Sequence, residues 1–269
     1  MNNAPASAPA RRSFAALRHP SYRGFFFSFA GAMMADSVEH VISYWMMFQK
    51  FQSNALGAFA VVSHWLPFLL LSLPVGALAD HFDPRRLIQI GMVLFMGVSL
   101  TWGVLFTTDT LEVWHAMVLL TLHGIAGVLW TPGAQVLLHH VVPAEDLQSA
   151  VRLNATSRQL GLLGGPAIGG ALLMLLGPSH GILLNAFFYL PTIIWLWKAP
   201  YSRAAAGQGA PRRALLSVSD VMSTLRRIGS HRTLLSMILL SGGASFFIGN
   251  AYLPQMPDFA RSLGHVDAD

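Results

Sequence analysis

Cysteine is absent from this 269-residue chain, and charged side chains are scarce. Without cysteine, neither a disulfide framework nor a thiolate metal or redox site can form. Asp, Glu, Lys and Arg together make up 11% of the residues, against about 25% in an ordinary soluble domain. So few charges cannot cover the surface of a water-soluble protein of this size. The composition therefore excludes a soluble single domain.

Two further absences narrow the function. The sequence contains no phosphate-binding glycine loop and no Ser/His/Asp set, so ATP-driven transport and enzymatic catalysis are unsupported. No spacing of His, Asp or Glu is typical of a metal site, and neither a metal nor a cofactor is predicted. The formal net charge is +5, but in a chain of this composition excess arginine marks cytoplasmic loops rather than a nucleic-acid partner.

Apolar residues make up 54% of the chain, and they fall in long runs without charge. A membrane-spanning helix needs about 20 such residues. The run 159–197 is too long for one span, and the turn-forming residues around Gly177 and Pro178 divide it. The sequence therefore predicts an all-α membrane protein with seven spans. The other predicted spans lie at about residues 24–48, 57–79, 87–107, 113–138 and 233–253.

Basic residues give the orientation of these spans. Fifteen of the 17 Lys and Arg residues fall in the amino-terminal tail or in the loops after the second, fourth and sixth spans. Cytoplasmic loops carry such an excess, so the amino terminus is predicted to be cytoplasmic. The predicted divisions are a cytoplasmic tail at 1–22, a six-helix transmembrane bundle at 23–198, a basic cytoplasmic linker at 199–232, and a seventh helix with an outer tail at 233–269.

The most specific local pattern lies in the loop after the second span. Gly76 and Asp80 are followed there by the pair Arg85 and Arg86. An acid at the end of one helix and two arginines at the start of the next make a compact charge cluster that can hold neighbouring helices together. The alternative is that the two arginines only mark the cytoplasmic side.

The fifth predicted span contains a glycine pattern. Gly161, Gly165 and Gly169 are four residues apart, so they share a helix face that another helix can approach closely. Pro166 removes a helix hydrogen bond and favours a bend, and Gly170 follows Gly169 directly. The alternative is a packing groove with no further role.

The first span carries three polar residues near its middle. Asp36 is expected close to the bilayer centre, where a carboxylate is costly, and Glu39 and His40 follow three and four residues later on the same face. This spacing predicts a cluster that binds a polar substrate or takes up a proton. Alternatively, Glu39 and His40 reach toward the outer end of the helix, or Asp36 only satisfies a neighbouring helix. His123 in the fourth span is a candidate proton carrier or a structural hydrogen-bonding residue.

These motifs resemble those of the major facilitator superfamily. The loop pattern is similar to the family's signature loop between spans two and three, which implies a cytoplasmic gate, although the chain departs from it at His81 and Asp83. The glycine–proline pattern resembles that of exporters in the superfamily, which implies efflux. The stretch 143–154 resembles the branch of efflux permeases that includes the bacterial enterobactin exporter.

The resemblance covers about residues 14–265 and implies a six-helix bundle of two three-helix repeats plus one helix, an apparently truncated version of a twelve-helix plan. Together these observations predict a secondary transporter of the bacterial inner membrane that couples efflux of a small molecule to protons by alternating access. The expected partners are substrate, protons, the lipid bilayer and a missing carboxyl-terminal half. The alternative is a non-transporting half-permease or a partner-binding membrane protein.

Overall fold

In the computed structural model of this chain, residues 14–199, 218–247 and 253–263 are described, and nearly all of them are helical. No strand occurs among these residues, which confirms the predicted all-α class. The bundle consists of the helices α1 Pro20–Phe51, α2 Asn54–His81, α3 Pro84–Thr107, α4 Val113–Val141, α5 Leu147–Ala186 and α6 Leu190–Lys198. Later in the chain lie the helices Val218–Ser230, Arg232–Phe247 and Met256–Ser262.

Local sequence signals determine where the bundle helices begin. The Ser53 side chain caps α2 by accepting a hydrogen bond from the backbone N–H of Leu56 at 3.3 Å. Asp83 caps α3 in the same way, accepting from the N–H of Arg85 at 3.0 Å. Such caps satisfy backbone donors that a helix start leaves without partners. Pro84 follows Asp83 at the first helical position, where its missing N–H has no cost.

One backbone break interrupts the long helical stretch from α5 into α6. Gly177 has φ 73° and ψ 170°, a conformation that residues with a side chain rarely adopt. The structure therefore confirms the break that the sequence predicts at Gly177 and Pro178. Gly177 is the only non-helical position inside α5. Pro166 does not interrupt the helix, and the bend expected there stays a prediction.

The first helices of the bundle pack mainly against helices of its second half. α1 lies mainly against α5, and α2 lies mainly against α4. If α1–α3 and α4–α6 are two repeats, these pairs are equivalent, because each joins the first helix of one repeat to the second helix of the other. α3 contacts α4, α5 and α6 and closes the bundle. This pairing is compatible with the predicted three-helix repeats, which stay a prediction.

α1 and α5 approach closely along a glycine seam, which we define as Gly161, Gly165 and Gly169. A Cβ atom added at Gly161 would lie 2.8 Å from an α1 side chain, one at Gly169 would lie 3.1 Å from another, and one at Gly165 would overlap α1. Gly170 faces open space instead. The α1 residues that the seam contacts, in chain order, are Met33, Ser37 and Val41.

Buried polar groups also hold α1 in place. The Tyr22 hydroxyl donates to the carbonyl oxygen of Ala150 at 3.0 Å, and the Asn185 side chain donates to the carbonyl oxygen of Ala35 at 2.9 Å. Both bonds join α1 to α5. Buried polar groups almost always find such partners, since leaving one without a partner is unfavourable.

Four stretches of the described chain are long and apolar enough to cross a membrane, namely Asn54–Gly76, Pro84–Thr107, Val113–Val141 and Ala144–Lys198. The break at Gly177 divides the last of these in two. α1 has 32 residues but is not among the four, because polar residues lower its hydropathy. The helix Arg232–Phe247 contains only a shorter apolar stretch, Arg232–Ala244. The first and seventh predicted spans therefore stay predictions.

The predicted divisions of the chain fall partly outside the described residues. Residues 1–13, 200–217, 248–252 and 264–269 are not described. Within the predicted basic linker at 199–232, the structure places the helix Val218–Ser230, on which Arg226 and Arg227 are exposed. The boundaries of the four predicted divisions stay predictions.

Candidate functional site

The three polar residues in the middle of α1 lie in different surroundings. Glu39 is 1% exposed and points into the bundle, so it does not reach toward the helix end. Asp36 and His40 instead line a cavity. Nδ1 of His40 donates a hydrogen bond to the backbone carbonyl of Asp36 at 2.7 Å, which holds the imidazole ring against its own helix.

His123 of α4 lies between the two carboxylates of α1. Its Nδ1 is 2.7 Å from Glu39 Oε1, and its Nε2 is 2.9 Å from Asp36 Oδ1. Ser99 of α3 donates a hydrogen bond to the other carboxylate oxygen of Glu39. Each contact with His123 needs one hydrogen, so the three groups share two hydrogens and carry one net negative charge. The structure thus brings three of the predicted site residues into one hydrogen-bonded chain.

Close approach of α2 and α4 adds His64 to this group. A Cβ atom added at Gly124, the neighbour of His123, would lie 3.2 Å from the Cα of His64. The His64 ring centroid is 5.2 Å from that of His40 and 5.7 Å from that of His123. Nδ1 of His64 is buried and has no hydrogen-bond partner among the described residues. We define the central cluster as Asp36, Glu39, His40, His64 and His123.

Two cavities meet at the central cluster. One, of about 390 Å³, lies between the second half of α1, the first half of α2, the middle of α5 and the helix Met256–Ser262. The other, of about 640 Å³, lies between the first half of α1, the second half of α4 and the start of α5. Asp36 and His64 line both cavities. The cluster therefore lies between two spaces at opposite ends of the bundle.

The two cavities differ in their polar groups. Asp36, His40 and His64 contribute the acidic and histidine side chains of the smaller cavity, whose wall also includes Trp45 and Trp65. The larger cavity is lined by Arg158 and, besides Asp36 and His64, by several further polar side chains. These further polar residues are Thr131, Gln135, His139, Asn154 and Gln159.

The loop between α2 and α3 holds a second charged group, which we call the loop cluster and define as Asp83 and Arg85. The two side chains form an ion pair at 2.7 Å, and Arg85 also donates to the carbonyl oxygen of Ala199 at 2.8 Å. Burial raises the pKa of the Asp83 carboxyl, but the hydrogen bonds from Arg85 outweigh it and hold that pKa below its usual value. The loop is thereby tied to the end of α6.

The remaining predicted gate residues lie around this loop. Arg86 is exposed, and Gly76 lies inside α2. A Cβ atom added at Gly76 would meet nothing within 4 Å. Asp80 lies near the end of α2, but its side chain is outside the described part of the structure, so its predicted pairing stays a prediction.

Sequence reasoning identified Asp36, Glu39 and His123 as site residues, but it gave His64 a weaker case and did not point to Ser99. It also found no metal-ligand spacing, because the three histidines of the central cluster come from three helices and no local pattern relates them. A general signal was available nonetheless. Ionisable residues inside membrane spans are rare and usually pair with one another, and His64 lies within a predicted span.

Comparison with known proteins identifies a family. The sequence matches the transmembrane secretion effector family over residues 11–269. An uncharacterised transporter of the major facilitator type from Bacillus subtilis is 26% identical over 179 residues, covering 62% of this chain and 40% of that protein. The staphyloferrin A transporter of Staphylococcus aureus is 23% identical over 182 residues, covering 67% of this chain and 46% of that protein.

Further matches agree with this result. A putative multidrug resistance protein of Escherichia fergusonii is 27% identical over 187 residues, covering 69% of this chain and 39% of that protein. The solved structure of a bacterial homologue of the human lysosomal transporter Spinster, inward-facing and unoccupied, matches with a TM-score of 0.67. That match has 16% identity and covers 97% of this chain and 58% of the other, and it shows the fold alone.

The chain spans about two fifths to one half of the length of the curated relatives it matches. The helical fold and the apolar helices agree with these relatives, two of which are named as transporters. The family match confirms the prediction that the chain is not an enzyme. The chain belongs to the transmembrane secretion effector family of major facilitator superfamily transporters.

Proposed function

We propose that this chain forms one bundle of a secondary transporter in the bacterial inner membrane, and that this transporter exports a small molecule by alternating access in exchange for protons. The observation that carries the proposal is the position of Asp36 and His64, which line both cavities. A central site between spaces at opposite ends of a bundle suits alternating access. A second bundle, supplied by a carboxyl-terminal half, would close each space in turn.

Asp36, Glu39 and His123 form the proposed proton site. Asp36 meets the cavities and exchanges a proton with them, while Glu39 is buried and held by Ser99. In this arrangement Glu39 keeps the His123 ring in place while the contact between His123 and Asp36 is made or broken. The cost of a carboxylate inside a membrane supports a functional role for both acids. His40 lines the smaller cavity beside Asp36 and completes the proposed substrate or proton site.

The loop after α2 forms the proposed cytoplasmic gate. Arg85 already joins this loop to the end of α6 through Ala199, so a movement of the loop is transmitted to another helix. Gly76, Asp80 and Arg86 contribute to the gate in the family pattern. The excess of basic residues in the predicted inner loops supports a cytoplasmic amino terminus.

Export is the proposed direction. The glycine seam with Pro166 and Gly170 is the element that resembles exporters of the superfamily, and the stretch 143–154 supports the efflux branch that includes the enterobactin exporter. The names of two relatives refer to staphyloferrin A and to multidrug resistance. Both names are compatible with a small organic cargo.

The substitution Asp36→Asn in the full-length protein tests this proposal. Asparagine keeps the size of the side chain but cannot carry a proton, so proton-driven transport should be lost. The measurement is accumulation of ethidium and other compounds of a test panel in everted membrane vesicles with an imposed proton gradient. Asp109→Asn, at an exposed loop acid, is the matched control and should transport normally. Unchanged transport by Asp36→Asn would sink the assignment of the proton site.

A second candidate is a half-size membrane protein that binds a partner without transporting. The mass of the protein in its native membrane, before and after chemical cross-linking, separates the two. A half-size species cross-linked to an unrelated protein supports the second candidate, whereas a species of about the relatives' size supports the transporter.

A further inference from the structure

The three histidines of the central cluster meet at one point although they come from three helices. His40 lies on α1, His64 on α2 and His123 on α4, and one potential ligand nitrogen of each lies within 4.8 Å of the other two. Nitrogen atoms around one tetrahedral zinc ion lie roughly 3.4 Å apart, given bond lengths of about 2.0–2.1 Å. The rings therefore need to close by no more than about 1.4 Å to share an ion.

Hydrogen bonds from Nδ1 already hold the orientation of two of the rings. Nδ1 of His40 donates to the Asp36 carbonyl at 2.7 Å, and Nδ1 of His123 lies 2.7 Å from a Glu39 carboxylate oxygen. In His40 this leaves Nε2 to bind a metal, and Nε2 of His123 becomes available when Asp36 turns away from it. Histidines that bind metals typically give their other N–H to a backbone carbonyl or a carboxylate, and here Ser99 holds that carboxylate in turn.

His64 supplies an independent observation. Its Nδ1 is buried and has no hydrogen-bond partner within the part of the chain that the structure describes. A buried nitrogen without a partner needs an explanation. Because the ring lies beside those of His40 and His123, an ion shared by the three imidazoles would explain its position.

The charges of the cluster suit a divalent cation. With neutral imidazoles, the Asp36 and Glu39 carboxylates balance the two positive charges of such an ion. Asp36 Oδ1 lies 2.9 Å from Nε2 of His123, so this carboxylate can turn from the ring to the ion and become a fourth ligand. A neutral ensemble is what a site within a membrane protein requires, because unbalanced buried charge is costly.

We propose that His40, His64 and His123, with Asp36 as a fourth ligand, bind one divalent transition-metal ion of the class of Zn²⁺ and Co²⁺. Imidazole ligands suit these ions, whereas Mg²⁺ prefers oxygen ligands. Asp36 and His64 line both cavities, which gives the ion a path to the site. The inference goes beyond the proposed function and does not depend on the direction or coupling of transport.

The test is Co²⁺ binding to the full-length protein purified in detergent, followed by visible absorption and by equilibrium dialysis. The wild-type protein should bind one equivalent and give the intense ligand-field bands of tetrahedral Co²⁺, and Zn²⁺ should displace it while Mg²⁺ should not. His64→Gln should weaken binding by more than the roughly 10- to 100-fold that loss of an outer-shell partner costs. His180→Gln changes an exposed histidine outside the cluster and should leave binding unchanged.

Two results would overturn the site. One is a wild-type protein whose Co²⁺ spectrum stays that of the hydrated ion, a result that does not depend on any variant folding. The other is equal Co²⁺ affinity of the wild type and of folded His64→Gln. The two proposals can fail separately. Transport by Asp36→Asn tests the proton site, whereas the Co²⁺ spectrum of the wild type tests the metal site.

Discussion

The central cluster and the loop cluster differ in how the chain builds them. In the loop cluster, Asp83 and Arg85 are two residues apart, and about a quarter of each side chain is exposed. In the central cluster, Glu39 and His123 are 84 residues apart, and their side chains are 2% and 6% exposed. Charges interact more strongly away from water, and losing one partner of a buried pair leaves the other stranded. The loop cluster is thus a local brace, whereas the central cluster depends on the whole bundle.

The largest effect on stability is expected from Glu39→Ala. This substitution leaves His123 and Ser99 without their buried acceptor, so the free energy of unfolding should fall by about 3–5 kcal/mol. Thermal unfolding of the full-length protein in detergent measures the change. Glu145→Ala removes an exposed acid and should have little effect. Equal melting temperatures for the two variants would contradict the buried position of Glu39.

The glycine seam offers a test that changes no charge. An alanine methyl at Gly165 overlaps Ser37, the neighbour of Asp36, so Gly165→Ala should push α1 away from α5. Overpacking of this kind costs about 1–3 kcal/mol. Gly164→Ala places its methyl in open space and should be neutral or slightly stabilising, since alanine favours helix. If both variants unfold at the same temperature, the two helices do not meet at Gly165.

The smallest effect is expected in the loop cluster. Asp83→Ala removes a helix cap and an ion pair and should cost about 1 kcal/mol.

The ion pair of the loop cluster also predicts a pH dependence. Arg85 holds the pKa of Asp83 below its usual value, so the ionised Asp83 side chain stabilises the folded protein near neutral pH. This stabilisation is lost as the pH falls through the lowered pKa of the folded protein. Between pH 7 and pH 3, roughly spanning the usual Asp pKa of about 3.9, Asp83→Asn should lose less stability than the wild type. An identical pH profile would exclude this ion pair.

Features that depend on neighbouring residues were predictable from the sequence. The break at Gly177 follows from the turn residues around it, and the charge pattern around Arg85 lies within a few residues of the helix ends. The three- and four-residue spacings from Asp36 to Glu39 and His40 place them side by side on α1.

Features that depend on contacts between helices were not predictable in the same way. His64 and Ser99 reach the central cluster only because α2 and α3 pack beside α4, and no spacing along the chain encodes that. The inward orientation of Glu39 likewise follows from the position of His123. The packing face of α5 was predictable because glycine leaves room for a neighbouring helix, but the identity of that neighbour, α1, was not.

The separation between α1 and its partners also imposes an order on assembly during synthesis. His123 follows Glu39 by 84 residues, and at roughly 5–20 residues per second the ribosome reaches it about 4 to 17 s later. Ala150, which accepts the hydrogen bond of Tyr22, follows that tyrosine by 128 residues. Until His123 is made, the two carboxylates of α1 lack the imidazole that joins them in the folded bundle, and in lipid they are costly. The first helix to be made can therefore complete its integration into the bundle only after the fourth.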